Sequence, residues 1–268
     1  MNSPHLRPTR AECLSTVILG AIITLTALGC VGGVLLARAL GASPPLLMFL
    51  AYGSFGYLIA GTMFWLTRPS WYGTFITIGL LLCLGGDASL SYESFLVGGG
   101  SFLAAHIMFI MAFFALRASG SDPAGEYACG ARHGFFGAFS WRRLAVAIPV
   151  MTLISLSLAF WILPRVENAR EMVLVVSYMV VITTMVVFSG GVRDTRMRAI
   201  AFLAAILFYT SDIFVAEGRY VKVLEDIAYY CYPLYYAACF LFAWSVGVHN
   251  LSRGEKHQQS TADHNSRQ

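Results

Sequence analysis

Long apolar runs recur along this chain, and they leave it little choice of fold. A hydrocarbon core is crossed by about 20 apolar residues of helix. Eight stretches qualify: 13–37, 46–66, 72–91, 95–117, 143–163, 171–190, 197–217 and 227–248. In lipid no water satisfies the backbone, so runs of this length must bond internally as helices. Composition agrees. Of 268 residues, 57% are hydrophobic and 12% charged, about half the charge of a soluble domain. The expected fold is all-α: a polytopic membrane protein with an eight-helix transmembrane domain over residues 1–249. The polar stretch 250–268 reads as a disordered tail. Ser43-Pro44-Pro45, Arg68-Pro69-Ser70 and Pro164 punctuate the runs. The longest connection, 118–142, is rich in Gly and small polar residues and reads as a mobile loop.

The cations orient the chain. With the N-terminus in the cytoplasm, the outer segments hold Arg38, Arg165, Arg170, Arg219 and Lys222, and the other 13 of 18 Lys and Arg residues lie inside. That bias predicts a multi-pass protein with both termini cytoplasmic and an even number of spans. The net charge of +4 is spread over short loops, which argues against a nucleic-acid partner. The six cysteines form no CxxC pair or Cys/His cluster, and most lie in or beside apolar runs. Neither a metal site nor a disulfide framework is expected.

Two of the runs carry a carboxylate. Asp87 follows Leu80-Leu81-Leu82-Cys83-Leu84-Gly85-Gly86, and Asp212 follows Ala205-Ile206-Leu207-Phe208-Tyr209-Thr210-Ser211. An acid at membrane depth costs roughly 2.5–3.5 kcal/mol on insertion scales, so each calls for a function. Both fall 15 residues beyond the expected start of their helix, Tyr72 or Met197, which predicts the same depth. Acids in the third and seventh runs suggest a parallel four-plus-four internal repeat. If the two face each other, one can stay protonated while the other is ionised, giving an acid and a base. The bland alternative is that each merely hydrogen-bonds a neighbouring helix.

Other polar groups surround this pattern. His106 lies in the fourth run, shortly beyond Gly98-Gly99-Gly100, and could orient an acid, hold a water or contact a head group. Tyrosines 229, 230, 232, 235 and 236 crowd the start of the last run. Most read as an interfacial aromatic belt. Tyr232 and Tyr236 share a helix face and are the pair expected to point inward.

These stretches resemble the YhhN family of lysoplasmalogenases. The first match runs from Gly79 to Asp87, on through Phe95-Leu96-Val97-Gly98 to Phe102-Leu103-Ala104-Ala105-His106. The second is Leu207-Phe208-Tyr209-Thr210-Ser211-Asp212, and a weaker one spans Tyr178 to Met185. Three positions depart from the family pattern. Ser43-Pro44-Pro45 stands where a lysine is common, Phe109 replaces a tyrosine, and Cys239 replaces a glutamine. The resemblance implies hydrolysis of the 1-alkenyl ether bond of a lysophospholipid substrate, a lysoplasmalogen, at the lipid bilayer and without a cofactor. Asp87 and Asp212 would be catalytic. His106, Ser211, Tyr178, Tyr232 and Tyr236 would be supporting or substrate-binding residues. Two other readings fit paired membrane acids. One is a proton-coupled transporter or lipid-binding protein. The other is an intramembrane aspartyl protease, whose Gly-x-Gly-Asp and Tyr-Asp signatures the chain lacks.

Overall fold

A computed structural model describes residues 10–42, 53–91, 94–116, 139–224 and 227–265. Among them, the regular structure is helical, apart from an isolated bridge between Phe139 and Val192. The helices are α1 (Arg10–Ala39), α2 (Phe55–Thr67), α3 (Trp71–Ser91), α4 (Phe95–Ala115), α5 (Trp141–Ile162), α6 (Ala169–Gly191), α7 (Thr195–Ala216) and α8 (Ala228–Asn265). Seven are long and apolar enough to cross a membrane. α2 has 13 residues. The expected start of that helix at 46 lies outside the described residues, as does most of the expected loop at 118–142.

The differences from expectation lie at helix ends. α6 and α7 each begin two residues before their apolar runs, because polar caps start them. Asn168 accepts from Arg170 N, and Asp194 accepts from Arg196 N and Met197 N, which satisfies amides the first turn would leave bare. α7 passes into a π turn, Glu217–Val221, that stops at Lys222 in left-handed conformation. The buried Glu217 carboxylate accepts from Val223 N (2.6 Å) and Leu224 N (2.9 Å) and closes this turn toward α8. At the other end, α8 runs on to Asn265, through polar residues that sequence polarity assigned to a disordered tail. Glu255, Lys256, Gln258, Gln259 and Ala262 are good helix formers, and a helix already started extends through them readily.

α8 is the hub. It packs on α1, α2, α3 and α7, and 61% of its most apolar window is buried, against 11% for α5. α3 lies along α4, α4 along α6, and α5 leans on α6 at the periphery. Large apolar side chains point outward, including Leu25 and Phe160, at 71% and 82% exposure. Such a surface suits lipid rather than water. The α3–α4 contact is close because it is built on glycines. A Cβ on Gly86 would stand 2.7 Å from the Phe102 ring, and one on Gly98 would stand 3.2 Å from the Gly86 carbonyl oxygen. Ser101 donates to the Leu82 carbonyl across the same seam (2.7 Å). Inside, Phe109 of α4 stacks on Phe242 of α8 at 4.2 Å between ring centres. These contacts fix the rotation of α3 and α4, and with it the aim of Asp87 and His106.

Candidate active site

Asp87 and Asp212 both line one cavity of about 390 Å³, walled mainly by apolar side chains of α3 to α8. The sequence left open whether these two acids meet the same space. Each lies near the C-terminal end of its helix, and their surroundings differ.

Asp87 is buried and stands at the focus of three hydroxyls. Its Oδ2 accepts from Ser54 Oγ (2.7 Å), Tyr235 OH (2.8 Å) and Tyr57 OH (3.3 Å). The two phenol oxygens lie 3.1 Å apart. A single oxygen taking three donors is the arrangement that stabilises a carboxylate. Ser54 and Tyr57 lie one turn apart at the start of α2, so a single helix end supplies two of the donors.

Asp212 is more open to the cavity, its side chain 17% exposed. Its Oδ2 accepts from Tyr178 OH at 2.7 Å. The same Oδ2 lies 3.6 Å from His106 Nε2. The imidazole is oriented by its other nitrogen: Nδ1 lies 2.6 Å from the Phe102 carbonyl oxygen. A carbonyl oxygen only accepts, so Nδ1 carries the ring hydrogen. In a neutral ring Nε2 is then an acceptor. It is buried and has no hydrogen-bond partner among the described residues. An acceptor nitrogen beside a carboxyl oxygen calls for one proton between them. Phe208 (4.6 Å) and Tyr178 (5.1 Å) hold the ring edge-on and leave it little room to turn away.

The remaining predicted residues divide. Tyr178 binds Asp212, as above. His106 goes with Asp212 of α7 rather than with Asp87, its nearer neighbour in sequence. Ser211 is buried and returns its hydroxyl to the Phe208 carbonyl of its own helix (2.7 Å). Of the α8 tyrosines expected to point inward, Tyr232 lines the cavity and stacks on Tyr236 at 6.1 Å. Tyr236 is fully buried beside Tyr57 and does not line the cavity. It is Tyr235, assigned from sequence to the interfacial belt, that reaches Asp87. Ser54 and Tyr57 were missed as well. A serine and a tyrosine three apart at the head of an apolar helix is the sequence signal they offered.

The model of the YhhN family matches residues 42–246 of the chain, a stretch that includes both acids and all the partners just described. Neither a curated protein nor a solved structure matches it.

Proposed function

The chain belongs to the YhhN family, and from that premise we propose that it is a membrane ether hydrolase. It cleaves the 1-alkenyl bond of lysoplasmalogens to a fatty aldehyde and glycerophosphoethanolamine or glycerophosphocholine. The observation that carries this reading is the pair of unlike carboxyls on one apolar cavity. A vinyl ether is opened by protonating the alkene carbon remote from oxygen. The resulting oxocarbenium ion is trapped by water, and the hemiacetal collapses to aldehyde and alcohol. One water is consumed, and the proton given to carbon is replaced by the one that water releases.

In this mechanism Asp212 is the general acid, because the His106 lone pair calls for a proton at that carboxyl. Tyr178 orients it. Asp87, whose Oδ2 takes three hydroxyl donors, stabilises the oxocarbenium ion and takes the proton from the attacking water, and that proton restores the Asp212 acid before the next turnover. The apolar walls formed by Leu158, Leu174 and Ile182 hold the alkenyl chain. We further infer eight spans and a four-plus-four repeat that pairs α3 with α7. Both termini would be cytoplasmic, with the acids toward the outer leaflet.

The test is direct. Purified protein in detergent is given lysoplasmenyl-ethanolamine, and aldehyde is followed with a coupled dehydrogenase. Wild type releases aldehyde, and Asp87→Asn and Asp212→Asn lose it. Diacyl lipids and acyl lysolipids react poorly, because an ester has no alkene carbon to protonate. A folded wild type that releases no aldehyde sinks the proposal and favours the transporter or lipid-binding reading.

A further inference from the structure

An ion pair on the rim of the cavity has no part in the chemistry above. Arg219 Nη2 donates to Glu171 Oε1 at 2.9 Å, and Tyr220 OH donates to Glu171 Oε2 at 2.8 Å. The guanidinium lies over the Phe95 ring, 4.8 Å from its centre. Phe95 and Tyr220 both line the cavity. The Arg219 side chain is 48% exposed, and a pair so exposed adds little to stability. Yet both charged heads are held in place, one by an aromatic face and one by a phenol. Arg165, another cation near this end, is turned back onto the Trp161 carbonyl of its own helix.

We propose that Arg219 and Glu171 form the head-group subsite of this cavity: Arg219 binds the phosphate of a lysophospholipid and Glu171 its ammonium group. This rests on the lysolipid reading above and extends it to substrate selection. The reach is right. Arg219 follows Asp212 by seven residues, through the end of α7 and into the π turn, an advance of about 10 Å. In an extended lysolipid the phosphorus lies roughly 8–9 Å from the alkene carbon that takes the proton, at ordinary bond lengths. The charges are right as well. One bond to Glu171 leaves other N–H donors on the guanidinium fork for a second anion. A zwitterionic phosphoethanolamine or phosphocholine replaces the internal pair with two external ones and keeps charge balanced. A bare phosphate would sit beside the Glu171 carboxylate with nothing to offset it.

The test uses binding, so that it does not depend on turnover. The ligands are 1-O-alkyl-glycerophosphoethanolamine and 1-O-alkylglycerol, saturated ethers with no alkene carbon to protonate. Titration calorimetry on the full chain in detergent reads their affinities. Wild type prefers the phospholipid. Arg219→Gln weakens it on the order of 10–100-fold and leaves alkylglycerol binding unchanged, which also reports that the fold is intact. Glu171→Gln weakens the ethanolamine lipid but not 1-O-alkylglycerol phosphate, which lacks the ammonium. Equal wild-type affinity for the two ethers overturns the subsite. So does an equal loss for both ethers in Arg219→Gln, or displacement of the phospholipid by inorganic phosphate at similar affinity. The alkenyl lipid supplied to the same preparation separates the two ideas. Absent aldehyde refutes the reaction, while the binding pattern alone decides the subsite.

Discussion

Replacing Asp212 with asparagine takes one labile proton out of the site and changes little else. The amide fills the same volume. It can accept from Tyr178, now 2.7 Å from Oδ2, or donate to His106 Nε2, now 3.6 Å away. The hydrogen bond forgone costs about 1 kcal/mol, which at this chain length lowers the unfolding midpoint by roughly 2–4 °C. The catalytic loss is far larger. A positioned general acid contributes about 10²–10⁴-fold, equivalent to ~3–5.5 kcal/mol of transition-state stabilisation. Asp87 lies on the same cavity but offers its Oδ2 to three donors rather than to a lone pair, so it cannot stand in as the acid. The measurement is kcat for aldehyde release by Asp212→Asn and wild type, with the thermal midpoint of each protein. The expected outcome is at least a hundredfold loss with the midpoint within a few degrees. A variant retaining more than a tenth of wild-type kcat would falsify the assignment of Asp212. If Asp87→Asn alone abolishes activity, the two roles are reversed.

Other outcomes follow from the same geometry. Turnover in D2O, with the aldehyde reduced as it forms, should place one deuterium on the carbon next to the carbonyl; unlabelled product rules out protonation at carbon. Tyr235→Phe removes a donor to Asp87, so stability should fall by about 1 kcal/mol and kcat should drop more than KM moves. An unchanged thermal midpoint would show that the triple hydroxyl cluster contributes nothing. Gly86→Ala puts a methyl 2.7 Å from the Phe102 ring and should destabilise by about 1–3 kcal/mol with loss of activity. Gly29→Ala in α1 meets nothing within 4 Å and should be neutral or slightly stabilising, so equal midpoints for the two variants would contradict the close α3–α4 seam.

The parts of this protein that were legible in its sequence are those set by local physics. Apolar length marks a span, because hydrocarbon thickness and the rise of a helix do not depend on neighbours. Asp87, Asp212 and His106 stood out, because a polar group in such a run must be compensated wherever it ends up. The starts of α6 and α7 were also written locally, in Asn168 and Asp194, although hydropathy alone put them two residues late. Which partners do the compensating was another matter. Tyr232, Tyr235 and Tyr236 fall within an arc of about 100° on α8, at roughly 100° per residue. Which of the three reaches Asp87 depends on how far α8 is rotated, and that rotation is set by contacts such as the stack of Phe109 on Phe242. The same holds for Ser54 and Tyr57, which meet Asp87 from 33 and 30 residues away in sequence. It holds for His106, whose Nε2 faces an acid on α7 because Gly86 and Gly98 draw α4 against α3. The sequence by itself determined a helical membrane protein with two costly acids and a histidine. Only tertiary packing decided that the acids share one cavity, one ringed by hydroxyls and the other facing an imidazole, because helix rotation and approach are properties of the pair and not of either segment.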